Sequence, residues 1–158
     1  MKFDWYIFLG RLRAYPPHFH RTLPPCPSHR IEGAEKELGK LPETLGEMLR
    51  CFNGAKLFDA GLPFVRLFGI STMPPLPPLE WAPEWYIDRF TPIWRAAGSG
   101  RENDWAIAMT NYGGLVLLDA GGAVKEWDMG ESKWLIKDLP FGNWVEKIMS
   151  EGEVMMAE

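Results

Sequence analysis

The stretch Trp105-Ala106-Ile107-Ala108-Met109-Thr110-Asn111-Tyr112-Gly113-Gly114-Leu115-Val116-Leu117-Leu118-Asp119-Ala120-Gly121-Gly122-Ala123-Val124-Lys125-Glu126-Trp127 carries the clearest structural signal in the chain. Apolar runs over residues 105–110, 114–119 and 123–127 are separated by glycine-containing connections of the kind that tight hairpins need, where the backbone turns through positive φ. The spacing therefore predicts three antiparallel strands. In the first, Trp105, Ile107 and Met109 alternate with Ala106, Ala108 and Thr110, which predicts one large and one small face, the small one open to close packing by a helix.

Outward from this meander the pattern changes to helical. Residues 3–12 place Trp5, Ile7, Phe8 and Leu12 at helical spacing and stop before Pro16 and Pro17. Residues 15–27 contain five prolines and predict an extended arm without a regular element. A helix from an N-cap at Ser28 to Gly39 and a second from Pro42 to Phe52, stopped by Asn53-Gly54, form a helical hairpin. Short strands are expected at residues 56–58 and 65–70, around Gly61-Leu62-Pro63, then a polyproline-like run over residues 73–83. Residues 83–90 predict a short helix that Pro92 interrupts or restarts. Residues 140–150 predict a closing helix on Phe141, Trp144, Val145, Ile148 and Met149, ended by Glu151-Gly152 and a polar tail. Helices, then strands, then a helix give a single α+β domain: N-terminal helices, an antiparallel meander sheet and a C-terminal helix packed on the sheet.

Composition bounds the function. With 158 residues, 46% hydrophobic and 24% charged, the chain is an ordinary globular domain rather than a disordered or fibrous one. No apolar run approaches the ~20 residues of a membrane span, so a cytoplasmic protein is expected. Cys26 and Cys51 are too few for a disulfide scaffold and form no C-x-x-C pair, which favours reduced thiols. The net charge of −4 is unevenly placed, with 5 basic and 11 acidic side chains over residues 101–158. A nucleic-acid binder needs a basic face, so a basic protein is the more natural partner.

The run Ile31…Ala34-Glu35…Leu38-Gly39…Leu41-Pro42…Leu45…Leu49…Phe52-Asn53-Gly54, with Leu57-Phe58 and Leu67-Phe68-Gly69, resembles the N-terminal signature of the SUKH superfamily. The run Trp105-Ala106-Ile107-Ala108…Asn111-Tyr112-Gly113-Gly114…Leu117-Leu118-Asp119…Glu126-Trp127-Asp128, followed by Phe141…Trp144-Val145, is similar to its C-terminal half. The resemblance covers residues 28–150 and leaves two departures, an N-terminal extension (1–27) and a Pro- and Trp-rich insertion (73–97). It implies a non-catalytic α+β protein-binding module, in bacteria an immunity protein that neutralises a cognate toxin such as a nuclease. A regulatory or scaffold role, as in the yeast cell-wall assembly regulators of that superfamily, is the alternative. The resemblance carries no catalytic residues, and implies that Leu38, Pro42, Gly54 and Trp127 are packing and capping positions.

Charge and aromatic content nominate a partner-binding surface. Asp119, Glu126, Asp128 and Glu131 cluster in sequence around Trp127, opposed only by Lys125, and Trp81, Glu84 and Trp85 of the insertion offer apolar anchors. Against this stands the reading of a solvated hairpin edge. The enzyme alternative rests on His18, His20, Cys26 and His29 as zinc ligands or on a reactive thiol, but the spacing matches no standard zinc motif, and G-x-S-x-G, H-E-x-x-H and Walker patterns are lacking. The expectation is therefore no enzyme, no cofactor and no metal.

Overall fold

The computed structural model of the protein describes residues 3–71 and 86–157. Its helices are α1 (Trp5–Arg13), α2 (Ser28–Leu38), α3 (Glu43–Cys51), α4 (Ile87–Ala96) and α5 (Phe141–Ala157). Its strands are β1 (Arg21–Thr22), β2 (Ala55–Asp59), β3 (Pro63–Leu67), β4 (Trp105–Thr110), β5 (Gly114–Leu118), β6 (Ala123–Asp128) and β7 (Lys133–Pro140). Every strand pairs antiparallel with its neighbours in sequence, in the order β1-β2-β3-β4-β5-β6-β7. This is the expected α+β architecture, built as one uninterrupted meander.

Local chemistry explains several element ends. Asp4 caps α1, its carboxylate accepting the N–H groups of Tyr6 and Ile7 at 2.9 and 3.2 Å. Gly39 ends α2 at φ +98°. The α2–α3 link is held by Glu35, whose carboxylate accepts the Leu41 N–H at 3.0 Å. Asn53 is more than a stop signal: its buried amide donates to the Ile70 carbonyl at 2.9 Å and accepts the Ile70 N–H at 2.7 Å. A Cβ at Gly54 would lie 2.8 Å from the Leu67 carbonyl oxygen, so the two backbones cross too closely for any other residue.

Several expectations are corrected. Ser28 lies inside α2 rather than capping it; Pro27 holds the cap position and makes no side-chain cap bond. The arm does contain a regular element, since β1 pairs with β2 through Arg21↔Lys56 and Thr22↔Ala55. The arm is tied down further by Cys26 N–H to Leu49 O at 2.8 Å and Asn53 N–H to Pro24 O at 3.0 Å. Pro92 neither ends nor restarts α4; it lies inside the helix, on its exposed side. The two-faced alternation of β4 breaks at Ile107, an extra residue between the pairs Ala106↔Leu117 and Ala108↔Val116. At this bulge the Ala106 N–H turns to Thr91 Oγ1 of α4, 3.0 Å away, so α4 does pack on the strand. The polyproline-like run and the first residues of the expected 83–90 helix lie outside the described residues.

Gly152 is the other surprise. It does not end the last helix, which runs on through Ala157; it is buried, and a Cβ there would lie 2.2 Å from Cδ2 of the Phe58 ring. Phe58 cannot retreat, being fully buried with the His20 and Tyr15 rings against it at 4.6 and 5.6 Å. Gly152→Ala should therefore destabilise the fold by about 1–3 kcal/mol despite alanine's better helix propensity. A chemical-denaturation curve shifted to higher midpoint would contradict this packing.

Candidate functional site

Asp119 and Asp128 do not share a patch. The register Leu118↔Val124 and Gly114↔Asp128 puts them at opposite ends of β6, a strand roughly 20 Å long. Each closes its own turn: Asp119 Oδ1 accepts the N–H groups of Gly121 and Ala123 at 2.9 and 3.0 Å, and Asp128 Oδ1 those of Gly130 and Glu131 at 2.9 and 3.0 Å. Glu131 is exposed and bridges Lys133 at 2.8 Å, a surface pair of little energetic weight.

Glu126 is not a surface residue at all. It shares the inward side of β6 with Val124 and is 1% exposed. Its Oε1 accepts the Tyr112 hydroxyl at 2.5 Å and its Oε2 the Trp144 indole N–H at 2.8 Å. Burial and the neighbouring carboxylate push the Tyr112 phenol well above its ordinary pKa, so it stays a donor. Glycine at 114 makes room for the network, since a Cβ there would lie 2.8 Å from Thr110 Oγ1 and 3.2 Å from Glu126 Oε1. The alternation of β6 could have signalled the burial, had the charge not suggested the opposite.

Lys125 and Trp127 serve a second internal cluster that the sequence reading missed. Lys125 does not oppose the acidic turns; its ammonium lies 2.8 and 2.9 Å from the two oxygens of buried Asp104, which also accepts the Trp94 indole N–H at 3.0 Å. The rings of Trp94, Trp127 and Trp134 meet edge to face at 4.8–6.0 Å, and the Arg101 guanidinium lies 3.7 Å from the Trp94 centroid and 5.2 Å from that of Trp127. Trp127 thus spends most of its ring inside the fold. Trp81, Glu84 and Trp85 lie outside the described residues.

The four arm residues have separate environments. His18 and His29 are exposed, the His18 ring packing on Phe19. Cys26 is buried, its thiol pushed up to about 11, largely by burial. His20 lies among Tyr15, Phe19 and Phe58, and its Nδ1 accepts the Phe58 N–H at 3.1 Å, which assigns the proton to Nε2. Among the described residues no group of three or more His, Cys, Asp or Glu is placed to hold a metal ion.

Burial pushes the His20 imidazole down to about 4, below its value in an unfolded chain of about 6.5. The unfolded chain therefore binds the extra proton first. His20's contribution to stability is complete above pH 6.5 and lost as pH falls toward 4. The difference in urea midpoint between the protein and its His20→Gln variant should shrink over this window, while carboxylate titration common to both cancels. A difference constant from pH 7 to 4 would remove His20 from the acid response.

No protein-family model matches the sequence, and no curated protein matches it. No helix among the described residues is long and apolar enough to cross a membrane.

Proposed function

We propose that the chain is a non-catalytic protein-binding module, in keeping with its resemblance to the SUKH superfamily, and that it acts in the cytoplasm as an immunity protein against a basic toxin domain. The observation that carries this reading is how the acidic residues divide. Glu126 and Asp104 are consumed in internal networks, whereas Asp128 and Glu131 stand at a turn beside exposed Met129, the first half-buried and closing the turn, the second bridged only to the exposed Lys133, so that a cationic surface can still reach them. Such a turn steers a basic partner and makes the association rate depend on salt.

The test is co-expression in a bacterial host with the product of any toxin-like reading frame adjacent to this gene. The reading expects relief of growth arrest and a complex whose association rate falls steeply between low and physiological salt. Growth arrest unrelieved by well-folded protein would overturn it.

A further inference from the structure

In a sequential antiparallel meander the turns β2–β3, β4–β5 and β6–β7 all fall at one end of the sheet. Here they are also tied to one another: the Asn111 N–H donates to Phe64 O at 2.8 Å, and the Met129 N–H to Gly113 O at 3.0 Å. α5 covers the same end, with Asn111 Nδ2 3.6 Å from Met155 Sδ in its last turn and the Lys147 ammonium, nearer its middle, 5.7 Å from the Tyr112 ring centroid. Each of these four pieces leaves one large apolar side chain in water: Leu62 (71% exposed), Tyr112 (42%), Met129 (46%) and Val154 (62%). They amount to half of the large apolar side chains left exposed among the described residues.

The frame around them is acidic. Asp59, Asp128, Glu131 and Glu151 stand in the same turns and on the same stretch of α5, and the nearby Lys133 and Lys147 are each already bridged, to Glu131 and Glu151 at 2.8 Å. Tyr112 is the fixed point of the surface, its hydroxyl held by buried Glu126, so its ring is ordered before any partner arrives.

We propose that this end of the sheet is a protein-docking surface for a partner face with an apolar centre ringed by lysine and arginine. The charge of the frame argues for that occupant: four carboxylates face two ammonium groups, so the frame keeps a net negative charge, which a neutral or acidic apolar face would desolvate without compensation. The inference deepens the binding-module reading and rests on it, and it replaces the sequence-derived patch by a surface that keeps Asp128 and Glu131 but excludes Asp119 and Glu126.

The probe is a displayed library of random twelve-residue peptides, selected on the full chain at low salt. Enriched peptides should carry Lys or Arg flanking aromatic or aliphatic residues. Amide shifts on titrating the strongest one should cluster at residues 60–62, 111–113, 129–131 and 151–155. Leu62→Ser with Met129→Ser should weaken that peptide about tenfold, and the exposed-site control Ile93→Ser by less than about twofold. Asp59→Asn, Asp128→Asn and Glu131→Gln together should flatten its salt dependence while retaining the turn-closing acceptors. Acidic or uncharged winners, shifts confined to other surfaces, or a library that enriches nothing over the Leu62→Ser/Met129→Ser protein would each overturn the surface. A toxin neutralised equally by the wild type and this double variant would sink the surface and leave the binding-module reading standing; a wild-type chain that selects these peptides yet protects from no toxin would keep the surface and sink the immunity role.

Discussion

Trp144→Ala is expected to be the most damaging single substitution in α5. The ring is 1% exposed and packs on Phe141, and its removal leaves a cavity at the helix–sheet interface worth about 3–5 kcal/mol. It also removes the indole donor from Glu126 Oε2, leaving a buried carboxylate oxygen short of a partner at a further cost of about 1–3 kcal/mol. Set against a total stability of about 5–15 kcal/mol, the variant should be marginally folded or unfolded at 37 °C. Trp144→Phe separates the two contributions, because it keeps most of the ring and loses only the donor. Denaturation midpoints for the two variants that differ little from wild type would mean that Glu126 is not anchored through α5.

Lys125→Met should cost about 3–5 kcal/mol, since it leaves Asp104 buried with the Trp94 indole as its remaining side-chain donor. In a domain of this size that corresponds to a melting temperature lower by roughly 10 °C. The companion Asp104→Asn removes the charge while preserving an acceptor for Trp94. The double variant Asp104→Asn/Lys125→Met should therefore be more stable than Lys125→Met alone, a coupling that calorimetry on the four proteins of the cycle measures directly. Additive losses would show that the pair behaves as an exposed one.

The fold was largely legible because local rules and tertiary packing agree in most places. Asn111-Gly113 and Gly121-Gly122 allow tight returns whatever packs above them, and the run Leu115–Leu118 is apolar at every position because β5 is buried throughout. The α2–α3 hairpin was written in Gly39, Pro42 and Asn53-Gly54. What escaped was set by partners remote in sequence. Residues 128–139 carry no element in the sequence reading; Lys133–Pro140 forms an eight-residue strand because Trp134 and Leu139 pair with Trp127 and Val124 across β6. Gly152 reads as a helix stop, but it lies within α5 and is glycine because the ring of Phe58, 94 residues earlier in the chain, occupies the space a Cβ would need.

The candidate site divides along the same line. The sequence by itself determined that the C-terminal third is acidic and rich in tryptophan, that its strands form hairpins, and that acidic residues fall in their turns, because charge, turn chemistry and periodicity are properties of a few adjacent residues. Only the tertiary structure decided which carboxylates meet solvent. Along β6 Glu126 points inward to Tyr112 and Trp144 while Lys125 reaches Asp104, and the β5–β6 register parts Asp119 and Asp128 to opposite ends. Whether a charge is a surface or a support depends on what faces it across the fold, and that information is held by residues far away along the chain.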